Sequence, residues 1–123
     1  MSRSLEVMIV EDERLISYML CKMVEKLGHH VCVCTSSAAG ALDYLEHDLP
    51  DIAFLDINLE GEQDGISIGK ALHERHHVPF AYATAYTDSE TRSRAMETLP
   101  VAFMPKPVDL DALRKACNSI SIT

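Results

Sequence analysis

The chain is 123 residues long, 47% hydrophobic and 24% charged, the make-up of a folded globular domain rather than a disordered segment. Its 11 basic against 19 acidic side chains leave a formal charge of −8, which disfavours direct binding to nucleic acid or to an anionic membrane surface. No stretch has the length of a membrane span or the apolar run of a signal peptide, so a cytoplasmic protein is expected.

Hydrophobic periodicity alternates between short strand-like runs and longer helical stretches, with no repeat, linker or low-complexity tract. The expected organisation is one domain over residues 1–123, without a separate effector domain. Leu5 to Val10 reads as the first strand. Leu15, Ile16, Met19, Leu20, Met23, Val24 and Leu27 then repeat at three-to-four spacing and stop at Gly28, the pattern of an amphipathic helix. His30 to Cys34 reads as a second strand, and Ser36 or Ser37 is placed to cap a helix carrying Ala38, Ala41, Leu42 and Leu45.

After Pro50, Ile52-Ala53-Phe54-Leu55 is a continuous apolar run, as in a parallel strand covered on both faces, and it ends at Asp56. A polar loop from Asn58 to Gly65 leads into a helix through Ile66, Ile68 and Leu72 that runs to Pro79. Phe80 to Thr84 is the fourth strand. Ser89 to Thr98 reads as a helix with only Ala95, Met96 and Leu99 as a thin apolar side, hence a loosely held one. Val101 to Met104 is the fifth strand, and Asp109 caps a last helix through Leu110, Leu113, Ala116, Cys117 and Ile120. Five strand-helix units of these lengths predict an α/β, doubly wound parallel sheet with helices on both faces, with ligands bound at the carboxyl ends of its strands.

Cys21, Cys32, Cys34 and Cys117 form no C-x-x-C pair; Cys32 and Cys34 alternate onto one strand face, and all four read as reduced structural thiols. His73 and His77 stand at a helical spacing that suits metal ligands, but a metal role is not the favoured reading of them.

The predicted strand ends carry Glu11-Asp12, Asp56, Thr84 and the approach to Lys106-Pro107. Taken singly, each has an ordinary explanation: an acidic pair complements a helix N-terminus, and a Lys-Pro dipeptide is a surface turn. Together, at one edge of one sheet, they point to chemistry. Three carboxylates packed together repel one another, and keeping them ionised requires a cation such as Mg²⁺ or Mn²⁺, which takes carboxylate and carbonyl oxygens. Asn58, two residues past Asp56, is placed to offer a backbone carbonyl to the same ion. Lys106 and Thr84 are donors suited to a phosphoryl oxygen, leaving Asp56 as the nucleophile that forms an acyl phosphate.

The segments I-V-E-D-E at 9 to 13, L-D-I-N at 55 to 58, A-T-A-Y at 83 to 86 and M-P-K-P at 104 to 107 resemble those of bacterial response-regulator receiver domains of two-component systems, and the resemblance covers essentially the whole chain. It implies a flavodoxin-like five-stranded sheet of order 2-1-3-4-5 with five helices. It also implies Glu11, Asp12, Asp56 and the Asn58 carbonyl as the metal site, Asp56 as phosphoacceptor, Thr84 as switch hydroxyl, Phe103 as switch aromatic and Lys106 as the family's lysine. The Lys106-Pro107 bond is then expected to be cis. The implied function is acceptance of a phosphoryl group from a histidine kinase or histidine phosphotransfer protein, followed by a change at the face of the fourth helix, fifth strand and fifth helix. That change leaves room for a phosphorylation-dependent dimer. No turnover enzyme is implied.

The sequence departs from the family in two places. The loop from Asn58 to Gly65 lacks the proline common after the acceptor and is one residue longer than usual. The stretch from Pro79 to Tyr86 resembles a FAT GUY-like subgroup of mostly stand-alone receivers with a signature near P-F-x-F-A-T-G-Y, but Ala85 replaces the glycine; the bulky Tyr86 is expected to slow loss of the phosphoryl group. Two alternatives stand beside this reading. A phosphatase of the haloacid-dehalogenase type uses similar residues, but needs its nucleophile on an early strand and a general-acid Asp where this chain has Asn58. A phosphorylation-independent interaction module on the same fold would keep the acidic pocket without using it.

Overall fold

The computed structural model describes residues 4–59, 64–85 and 88–120. Five strands, β1 (Glu6–Val10), β2 (His30–Thr35), β3 (Ile52–Leu55), β4 (Phe80–Thr84) and β5 (Ala102–Pro105), form one sheet in the order β2-β1-β3-β4-β5, and every pairing is parallel. Five helices alternate with them: α1 (Arg14–Lys26), α2 (Ala38–Leu45), α3 (Gly65–Ala71), α4 (Ser89–Met96) and α5 (Leu110–Asn118). The doubly wound order implied by the family resemblance is the one observed.

The sheet has a core on each face. On one side Val7, Ile9, Phe54 and Ala83 meet Leu20 and Val24 of α1 and Leu113 and Ala116 of α5. On the other, Met8, Val10, Leu55 and Tyr82 meet Ala41 and Leu45 of α2, Ile68 of α3 and Ala95 of α4. Alternation along each strand feeds both cores, so the central strands are apolar throughout, as in a sheet covered on both faces.

Local capping starts four of the helices. Backbone N–H groups of Gly40, Ser67, Thr91 and Ala112 donate to the side chains of Ser37, Asp64, Asp88 and Asp109 at 3.1, 3.1, 2.7 and 2.7 Å. Ser37 rather than Ser36 is therefore the cap of α2. Gly28 adopts φ 89°, the left-handed turn that ends α1.

The structure corrects several expectations. The α1 stripe is narrower than its apolar residues suggest: Leu15 is 72% and Met19 52% exposed, and the helix buries Leu20 and Val24. The third helix stops at Ala71 and passes into a π-helical turn, Leu72–His76, closed by His77 at φ 56°. That widened turn and left-handed residue remove the helical spacing that would set His73 and His77 on one face. On α4, Ala95 is buried while Met96 and Leu99 are exposed. The helix gains a polar anchor instead: the Thr98 hydroxyl donates to Ala95 O (2.5 Å) and accepts from the buried Tyr82 hydroxyl (2.7 Å).

The pairing of β1 with β2 slips by one residue. Val7 faces Val31 and Met8 faces Val33, so Cys32 is skipped. Cys32 donates to Val7 O at 3.5 Å and lies beside Tyr44 of α2, whereas Cys34, in register with Ile9, is exposed and touches Ser17 and Cys21 of α1. The two thiols thus point to opposite faces, against the simple alternation expected of them.

Candidate functional site

Register brings the strand ends together. Val10 pairs with both Thr35 and Leu55, Leu55 with Tyr82, and Thr84 with Pro105, so the residues following β1, β3 and β5 emerge at one edge beside the end of β4. Glu11 N donates to Thr35 O (3.0 Å), Asp56 N to Val10 O (2.9 Å) and Lys106 N to Thr84 O (3.0 Å), fixing the backbone from which each functional side chain projects.

Glu11, Asp12 and Asp56 offer carboxylate oxygens that all lie within 4.8 Å of one another. Glu11 is 3% and Asp56 6% exposed, which is rare for carboxylates without a cationic partner. Lys106 is that partner: its Nζ lies 2.6 Å from Glu11 Oε1, as a close ion pair without hydrogen-bond alignment, and donates to Asp56 Oδ2 at 3.0 Å. The remaining oxygens meet backbone donors, Glu13 N to Glu11 Oε2 (3.1 Å) and Asn58 N to Asp56 Oδ1 (3.1 Å). Burial pushes the Glu11 carboxyl above its ordinary range, against the pull of Lys106 and the Glu13 amide. Burial also pulls the Lys106 ammonium down, but Glu11 and Asp56 together outweigh it and leave the lysine raised. Lys106 therefore stays charged.

Thr84 ends β4 with a buried hydroxyl that has no hydrogen-bond partner among the described residues. An orphaned buried hydroxyl carries a desolvation penalty unless another state supplies its partner. Phe103 lies half-buried on β5, tilted against Tyr82 at 5.9 Å between centroids, with the Arg92 guanidinium 4.4 Å from its own. Asn58 is exposed beside Asp56. The Lys106-Pro107 bond is cis. Residues 60–63 of the long loop and Tyr86 lie outside the described residues.

Two contributors escaped the sequence reading. A Cβ at Gly65 would collide with the backbone carbonyl of Asp56 and sit 2.9 Å from Ile57 Cα, so only glycine lets α3 start this close to the acidic residue. The Asp-Gly pair at 64 and 65 is the signal the sequence offers for it, at the end of a stretch that reads as a polar loop. Arg92 over Phe103 had no signal, because the contact joins α4 to β5 through tertiary packing.

The described helices include none long and apolar enough to cross a membrane. Residues 7–118 match the family model described as the response regulator receiver domain. An uncharacterized response regulatory protein of Vibrio cholerae is 28% identical, aligned over 98% of this chain and 46% of its own length. The TorCAD operon transcriptional regulatory protein TorR of Escherichia coli is 32% identical over 87% of this chain and 46% of its own. The chain thus spans about half the length of these curated relatives. Among solved structures, the signal receiver domain of a modulated diguanylate cyclase from Desulfovibrio desulfuricans superposes with a TM-score of 0.91 at 31% identity, covering 96% of this chain and 94% of that one. The receiver domain of the Erythrobacter litoralis PhyR response regulator gives 0.79 at 26%, covering 98% and 95%. With the order of its sheet and the match along nearly its whole length, the chain belongs to the response regulator receiver domain family of two-component signal transduction.

Proposed function

We propose that the chain accepts a phosphoryl group on the Asp56 carboxylate from a phosphohistidine of a histidine kinase or histidine phosphotransfer protein, and that the acyl phosphate alters the surface offered to a protein partner. The observation that carries this reading is the gathering of Glu11, Asp12 and Asp56 within 4.8 Å around one charged lysine. The donors are carboxylate and carbonyl oxygens, a hard set that fits Mg²⁺ or Mn²⁺; Glu11, Asp12, Asp56 and the Asn58 carbonyl are the residues that would hold the ion. When bound, the cation supplies neutralising charge for phosphoryl oxygens.

The remaining work falls to the chain. An Asp56 oxygen attacks phosphorus, the O–P bond forms as the N–P bond breaks, and the electron pair leaves on the donor imidazole. Lys106 exchanges part of its pairing with Asp56 for the incoming phosphoryl oxygens. The unpartnered Thr84 hydroxyl is then drawn to donate to the phosphoryl group, and Phe103 follows it inward, releasing Arg92 and repositioning α4 against β5 and α5.

The test is incubation with acetyl phosphate and Mg²⁺, with chelator and Asp56→Asn controls, read by intact mass. A metal-dependent phosphoryl adduct, absent from the variant and removed by hydroxylamine, is expected. Failure of the folded chain to form it under saturating donor would move the reading to a phosphorylation-independent module.

A further inference from the structure

We propose that Cys21 and Cys34 are a dithiol modification site, closing reversibly to an intramolecular disulfide on reaction with a low-molecular-weight disulfide. Their sulfurs stand 3.8 Å apart across the seam between α1 and β2. A disulfide needs ~2 Å, within reach of side-chain rotation and a small shift of the helix. The slip at Cys32 is what creates the pair, because it turns Cys34 onto the α1 side, while Cys32 is held at Val7 O and Tyr44 on the other side of the strand. Cys117 is buried on the core face of α5. Among the described residues, Cys21 and Cys34 form the one thiol–thiol hydrogen bond.

Access is provided. Cys34 is exposed, and a groove of about 410 Å³ lined by Asp12, Ser17, Tyr18, Cys21, Cys34 and Thr35 opens onto both sulfurs. The Ser17 hydroxyl, 2.8 Å from Cys34 Sγ, can donate to a thiolate there. Cys34, exposed and beside that hydroxyl, is therefore the first nucleophile, and the less exposed Cys21, whose thiol burial and then the neighbouring Cys34 push up to about 11, is the resolving one.

The steps balance. The Cys34 thiolate attacks one sulfur of a disulfide RSSR, the S–S bond breaks and RS⁻ leaves to take a proton. Cys21 then gives its proton to solvent base and attacks Cys34 Sγ in the mixed disulfide, and the second RS⁻ leaves. Two protein thiols are oxidised and one RSSR becomes two RSH. The new bond pins α1 to β2 in the wall of the groove that also reaches Glu11 and Asp12. In a reducing compartment it would be a transient mark rather than a permanent staple.

The experiment titrates the full chain with mixtures of oxidised and reduced glutathione, quenches in acid, alkylates under denaturing conditions and reads intact mass and peptide maps. The expected result is loss of two hydrogens, reversed by dithiothreitol, with the bond mapped between Cys21 and Cys34 and retained in Cys32→Ser. Cys21→Ser should instead accumulate a mixed disulfide on Cys34, and circular dichroism checks that it is folded. A wild-type chain that stops at a stable glutathione adduct, forms its bond through Cys32 or between two chains, or shows no reaction would overturn the proposal.

Discussion

Lys106 donates to Asp56 Oδ2 at 3.0 Å across 50 residues of sequence, and the same Nζ lies 2.6 Å from Glu11. One ammonium thus holds two buried carboxylates. Replacing it by the similarly shaped Lys106→Met leaves both charges without their cation, a change worth roughly 3 kcal/mol for a buried pair. Urea denaturation with chelator present should show that loss, part of it recovered in excess Mg²⁺, and the rate of phosphoryl adduct formation from acetyl phosphate should fall.

Thr84→Val should do the opposite to resting stability. Its hydroxyl is buried without a partner among the described residues, so removing it at constant shape relieves a desolvation penalty of about 1 kcal/mol. The expected outcome is a raised Tm together with loss of any adduct-dependent change in amide exchange at α4; Thr84→Ser should keep that change.

The attachment of α4 rests on unequal contacts. Arg92 over the Phe103 ring is a partly exposed cation–π pair, contributing about 0.5 to 1 kcal/mol. Thr98 satisfies the buried Tyr82 hydroxyl, and losing it strands that group at a cost of about 1 to 3 kcal/mol. Thr98→Val should therefore destabilise the chain more than Arg92→Ala, while both speed hydrogen exchange in Ser89–Met96. Equal effects would assign the anchor to the cation–π contact.

Gly65→Ala forces the backbone of α3 away from the Asp56 carbonyl. Overpacking of this kind costs about 1 to 3 kcal/mol, and here the displaced atoms belong to the acidic site. A lowered Tm with a disproportionate loss of metal-dependent adduct is the expected pair of results, read by calorimetry and intact mass.

Asp88 caps α4 through the Thr91 amide, which holds its carboxyl below the ordinary 3.8. A depressed folded value means stability that is present above the unfolded value and lost as pH falls through the folded one. Acid titration of the wild type should loosen α4 only below about pH 4, whereas Asp88→Ala should show faster amide exchange in α4 already at neutral pH.

Much of this is legible in the sequence. Strands β3 and β4, the cap Asp109, a serine cap at 36 or 37, and the stop at Gly28 follow from local chemistry: apolar runs, side-chain acceptors for open N–H groups, and a residue tolerant of positive φ. The sequence sets strand β5 one residue early, because Val101 is apolar yet 42% exposed and precedes the strand, donating its N–H to Phe80 O. The exposed Leu15 and Met19 show the same limit, since periodicity selects a face but not how far it is covered.

The candidate site was legible as a set of residues and not as a geometry. By itself the sequence determined the alternation of strands and helices and hence which side chains emerge at one edge, because those follow from backbone hydrogen bonding and the two periods of 2 and 3.6 residues. Only the tertiary structure decided that Lys106 pairs with both Glu11 and Asp56, that the Thr84 hydroxyl is buried without a partner among the described residues, that Arg92 covers Phe103 and that a slip at Cys32 sends Cys34 toward Cys21. These are contacts between residues far apart in the chain, set by register and packing, and a one-residue slip in a strand reverses the face without altering a letter of the local pattern.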